Sequence, residues 1–70
     1  MSTLKELREE AGLTAFELAV QTDVSLSTIN RMESGKEAVT RRIANKVLNV
    51  LSDKLGRKIT VENVEGLRTK

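Results

Sequence analysis

Residues 13–36 read LTAFELAVQTDVSLSTINRMESGK, and two short helices joined by a tight turn account for them. Thr14 and Glu17 form a capping-box pattern, in which the hydroxyl accepts one orphan amide of the first turn and the carboxylate accepts another. Leu18 and Ala19 lie on the inward face of the helix that follows, and Asp23-Val24 breaks its pattern early. Phe16 and Val20 do not both fit that narrow stripe. They are either core or a partner-facing patch, and core is the expectation for one of the two. Ser25 caps the second helix, Gly35 ends it, and Ile29 and Met32 are its spaced apolar pair. Its other face is polar, with Ser27, Thr28, Asn30, Arg31 and Ser34.

The same punctuation extends outward in both directions. Thr3 with Glu6 repeats the capping box, Leu4, Leu7 and Ala11 mark one helical face, and Gly12 stops the segment. After the loop Lys36-Glu37-Ala38-Val39, Thr40 caps the longest helix, where Ile43, Val47, Leu48, Leu51 and Leu55 recur at helical spacing up to Gly56. The last stretch is ambiguous. Ile59 and Val61 alternate like a short strand, whereas Thr60 followed by Val61, Val64 and Leu67 fits a helix turn or two. A fifth helix after an extended Arg57-Lys58-Ile59 is the expectation, with Gly66 read as another helix stop. Its apolar residues either cover the bundle or form half of a dimer interface.

Composition narrows the chemistry. The 70 residues make one domain at most, and they include no Cys and no His. Disulfides, thiolate or His metal sites, and Cys–His or Ser–His catalysis are therefore excluded. With no Trp, no Tyr and one Phe, the chain has no aromatic platform for stacking single-stranded bases. A domain of this size buries only ~60% of its unfolded surface and has little core to give up for an active-site cavity. The expectation is no enzyme, no catalytic residue, no metal, no cofactor and no small-molecule ligand. No run approaches the roughly 20 apolar residues that span a bilayer. The N-terminal MSTLKELREE is charged where a signal peptide is apolar. A cytoplasmic protein with no membrane partner is expected, and Met1 without a tag sequence leads us to expect a complete chain.

Charge is unevenly spread. Residues 1–23 carry two cations against five acids, residues 24–58 carry eight cations against three acids, and residues 59–70 balance. A positive middle is what a polyanion-binding face looks like, and equally what ordinary solvated Lys and Arg look like. The second helix of the 13–36 stretch adds to the first reading. It hides two side chains and presents small polar groups near its start, which suits the ~12 Å wide major groove of B-DNA. The amides at the starts of both helices can meet phosphates. Arg41 and Arg42 stand in the first turn of the longest helix, where the dipole disfavours cations by a few tenths of a kcal/mol. That placement hints at an anionic partner.

The chain resembles the helix-turn-helix of phage repressor and Cro-like proteins, the xenobiotic-response-element family of bacterial regulators. The likeness covers about residues 4–56 and is carried by LREEAGLT, the ELA of the first motif helix, VSLSTINRMESGK and the Leu/Val-rich fourth helix. It implies an all-α fold, a compact five-helix bundle of the lambda-repressor-like DNA-binding type. Residues 1–70 would be a single domain with its motif at about 14–35 and a C-terminal segment, 57–70, available for dimerisation. By this resemblance Leu26, Ser27, Asn30 and Arg31 fall on base-contacting positions. Thr14, Ser25, Thr28, Ser34, Lys36, Arg41 and Arg42 fall on or near phosphate-contacting ones. The partner implied is double-stranded DNA, bound by a homodimer on a two-fold operator, in a bacterial or phage-encoded transcriptional repressor.

Two positions depart from the family pattern. Ala15 stands where many members have a phosphate-contacting Gln, and Leu26 where they often have a polar base reader. These departures keep a protein-interaction module, or an antitoxin, as the alternative. Arg8 and Glu33 occupy positions that often form an ion pair in similar proteins, and the same pair is expected here.

Overall fold

Four of the five segments led by Thr or Ser in the sequence become α-helices. The computed structural model describes residues 2–70. It contains β1 (Ser2–Thr3), α1 (Leu4–Glu10), α2 (Ala15–Thr22), α3 (Leu26–Ser34), α4 (Arg41–Leu55), a single 3-10 turn (Val61–Asn63) and β2 (Val64–Glu65). Thr3, Thr14, Ser25 and Thr40 are the four N-caps, each accepting from the amide three residues on at 3.1–3.2 Å. Glu6 and Glu17 complete two capping boxes by accepting from the amides of Thr3 and Thr14 at 2.8 Å. Those amide bonds, strengthened by the threonine hydroxyls, hold both carboxyls below the usual carboxylate range.

The helices close around Leu4, Leu7, Leu18, Ile29, Met32, Val47, Leu48 and Leu51, all buried. Ala44, the smallest core residue of α4, is fully buried, which lets a neighbour approach the helix closely. Thr22 is a buried polar residue inside this core. Its hydroxyl donates back to the Leu18 carbonyl at 2.7 Å, so it needs no further partner. Phe16 and Val20 depart from expectation: both are 64% exposed, and neither joins the core. Leu18, Ala19 and Thr22 already fill the inward stripe of this short helix, which leaves no room at helical spacing for a fourth and fifth side chain.

The fifth helix is not formed. At the extended Thr60, the amide and hydroxyl both bond to Asn63 Oδ1, at 3.0 and 2.9 Å, and one 3-10 turn results. Val64–Glu65 then pairs in parallel with Ser2–Thr3, in register Ser2↔Val64 and Thr3↔Glu65. Beyond Gly66, Val39 donates to the Arg68 carbonyl at 3.0 Å and accepts from the Lys70 amide at 2.9 Å. A two-turn helix is marginal in water, and backbone partners offered by β1 and the α3–α4 loop outcompete it. Ile59 and Val64 are buried while Val61 and Leu67 pack at the edge, so this segment covers the bundle.

Candidate nucleic-acid interface

Three residues, Asp23 to Ser25, separate α2 from α3. Asp23 adopts the left-handed conformation (φ 56°), and the Val24 amide then donates to the Ala19 carbonyl at 3.1 Å. This cap turns the chain sharply, and α3 leaves the core by one face only. Ile29 and Met32 point inward, while Leu26, Ser27, Asn30, Arg31 and Ser34 are exposed together on the outer side. The four residues expected to read bases are thus brought to one surface.

Thr28 differs from expectation, being buried rather than part of the outer face. At the third position of α3 its hydroxyl turns onto the cap, 2.8 Å from Ser25 Oγ. It also accepts from Arg31 Nη2 at 3.0 Å, so its contribution to the surface is to hold Arg31. Ser25 is occupied as the cap. Ser34 donates to the Arg31 carbonyl at 2.9 Å and accepts from the Lys36 amide at 3.3 Å, which shapes the start of the α3–α4 loop. Thr14 is exposed; its hydroxyl accepts from the Glu17 amide at 3.1 Å and also supports the Glu17 carboxylate.

Behind α3 lies the expected ion pair. Arg8 donates to both carboxylate oxygens of Glu33, from Nε at 2.7 Å and from Nη2 at 3.2 Å. Its Nη1 donates to the Leu13 carbonyl at 2.9 Å. Each side chain is only 12% exposed. The hydrogen bonds to Glu33 hold the guanidinium above its usual, already high, pKa. One arginine therefore locks α1, the α1–α2 loop and α3 together.

The cations at the surface fall into two groups. Arg41 Nη2 lies 2.7 Å from Glu62 Oε1, and Arg31 Nη1 lies 3.7 Å from Glu37 Oε2, all four side chains being more than half exposed. The anionic partner hinted at by Arg41 thus has a counterpart within the chain. Lys36 and Arg42 are exposed and form no ion pair among the described residues. The Glu62 carboxyl is held low by its own backbone amide and by Arg41.

Two further cations reach this surface without a signal in the sequence. Arg68 Nη1 donates to the Lys36 carbonyl at 3.3 Å. Lys70 joins Thr28, Arg31, Glu37 and Thr40 around a hollow of about 140 Å³. Both arrive through the backbone pairing of residues 68–70 with Val39, a long-range event with no local periodicity. Among the described residues, no group of acidic side chains is arranged to hold a metal ion, and no helix is long and apolar enough to cross a membrane.

A capped helix, a three-residue turn and a second helix with a polar outer face define the helix-turn-helix class, whose second helix enters the DNA major groove. The chain belongs to the helix-turn-helix domain family, whose model matches residues 2–52, from β1 through most of α4. That family is a DNA-binding one and not a catalytic one. No curated protein and no solved structure matches the chain.

Proposed function

We propose that this protein is a sequence-specific double-stranded DNA-binding transcriptional regulator, a repressor of the phage repressor and Cro-like kind that occludes its promoter. The observation that carries the reading is the joint exposure of Leu26, Ser27, Asn30 and Arg31 on α3, flanked by unpaired Lys36 and Arg42. Arg31 bonds a guanine, Ser27 and Asn30 read neighbouring edges, and Leu26 packs on a thymine methyl. Thr14, Ser25, Ser34, Lys36, Arg41 and Arg42 meet phosphates, and Thr28 acts by steadying Arg31. A module this small buries limited area on DNA, so a homodimer on a two-fold operator supplies the rest.

Selection from random duplexes with the purified protein tests the reading. Enrichment of a site with two symmetric halves is expected. Arg31→Ala should relax the preference at one base position, with a loss of roughly 1–3 kcal/mol on the preferred site. No enrichment, with no salt-dependent binding of random duplex, would overturn it. The second reading, an interaction module or antitoxin, draws on Ala15 and on the exposed Phe16 and Val20 of α2.

A further inference from the structure

We propose that Glu62 sets the affinity of this protein for DNA by competing with phosphate for Arg41. The inference rests on the DNA-binding reading. Four cations flank the α3–α4 loop at the surface: Arg31, Lys36, Arg41 and Arg42. Lys36 and Arg42 are unpaired among the described residues, and the Arg31–Glu37 contact is long at 3.7 Å. Arg41 alone is held by a short bond, 2.7 Å to Glu62 Oε1. The carboxylate comes from the 3-10 turn, which Thr60 and Asn63 fix through their own side-chain bonds. It therefore meets Arg41 from a built position and not from a drifting tail.

A carboxylate and a phosphate ask the same thing of a guanidinium, namely N–H donors to paired anionic oxygens. Arg41 cannot give its Nη2 to both at full strength. Both side chains of the pair are more than half exposed, so water and salt screen the bond and a phosphate can displace it. When that happens Glu62 is left beside the DNA backbone, where it repels the phosphates and draws a cation back. Glu62 thus lowers affinity and cancels part of the counterion release that Arg41 would otherwise bring. The turn gives the protein a weaker, less salt-sensitive grip than its cation count implies.

The test compares the full chain with Glu62→Gln, Arg41→Ala, the double variant, and Glu65→Gln, which removes an equal charge from an exposed acid nearby. Each is titrated into a short random-sequence DNA duplex over a range of KCl, with thermal melts to show that it is folded. Glu62→Gln is expected to bind about 3-fold tighter at low salt, as befits an exposed pair. Its log K against log salt should steepen by up to about 0.9 for each Arg41 contact. The gain should shrink in the Arg41→Ala background to about that of Glu65→Gln, which reports the general effect of removing one negative charge. Weaker binding by Glu62→Gln would show that Glu62 positions Arg41, and would overturn the proposal. So would unchanged binding, or a gain that Arg41→Ala leaves undiminished. If the wild type and every folded variant fail to bind duplex, the DNA-binding reading itself falls.

Discussion

Arg8 and Arg41 each meet a glutamate at 2.7 Å, yet the first pair is 12% exposed on both sides and the second 57% and 66%. Distance does not distinguish them; burial does. Around Arg8 the protein has displaced water and supplied a third acceptor, the Leu13 carbonyl, so each charge depends on the other. Around Arg41 water remains as an alternative partner for both ions. A buried pair behaves as part of the framework, whereas an exposed one can be exchanged. The framework pair sits behind α3; of the exposed pairs, Arg31–Glu37 lies at its outer edge and Arg41–Glu62 at the start of α4, while Arg57–Glu10 ties the end of α4 to that of α1.

The largest test of this contrast is Arg8→Ala. It leaves Glu33 nearly buried and without its partner, and about 3 kcal/mol of stability should be lost, at the lower end for breaking a buried pair. Urea unfolding measures it, and a loss under ~1 kcal/mol would put the pair in the exposed class. Next comes the end of α3. Gly35 and Gly56 both close helices at φ 68°, but a Cβ on Gly35 would lie 2.7 Å from the Gly66 carbonyl oxygen, while one on Gly56 meets nothing within 4 Å. Gly56→Ala should cost about 1 kcal/mol for the left-handed conformation alone. Gly35→Ala should cost at least ~1 kcal/mol more, because backbone must move. Equal costs would mean that the C-terminal segment yields easily.

Arg41→Ala should leave the melting temperature nearly unchanged and act on DNA instead. Random and preferred duplexes should weaken alike. In the Glu62→Gln background, where Arg41 is released, the salt slope should flatten by about one unit for a monomer or about two for a two-fold dimer, and by less than that in the wild type. The smallest effect is on acid stability. Glu10 is held low by its hydrogen bonds to Arg57, and Glu62 by its own amide and Arg41. A lowered carboxyl stabilises the fold above its unfolded value, near 4.5, and loses that contribution as pH falls through the lower folded value. Stability should therefore decline only below about pH 4.5, and Glu10→Gln should make the decline slightly shallower. A midpoint that shifts between pH 6 and 8 would contradict this assignment.

What could be read in advance was what is locally encoded. The four caps, the stops at Gly12, Gly35 and Gly56, and the inward residues of α1, α3 and α4 follow from spacing within a few residues. The Arg8–Glu33 pair was legible through the family resemblance, since nothing local links residues so far apart. Neither Phe16 nor Val20 takes the core place expected for one of them, because hydrophobicity says nothing of the space available: Thr22, polar by type, fills the stripe by bonding to its own helix. The C-terminal segment escaped for a different reason. Val61, Val64 and Leu67 are spaced for a helix, but residues 64–70 take their shape from Ser2, Thr3 and Val39. Lys70 therefore carries no sequence signal at the candidate interface, and the placement of Arg41 points to an anion without revealing that Glu62 is one.

The pairing of Ser2 with Val64 and of Val39 with Thr69 bears on how the protein is made. A ribosome delivers α1 to α4 first, and those helices can gather as they emerge. β1, though synthesised before every helix, has no strand to join until residue 64 is free of the exit tunnel. The loop carrying Lys36 has no backbone partner until residues 68–70 follow. The helical core can thus condense before residues 64–70 are available, whereas the loop around Val39 takes its final shape only once they are.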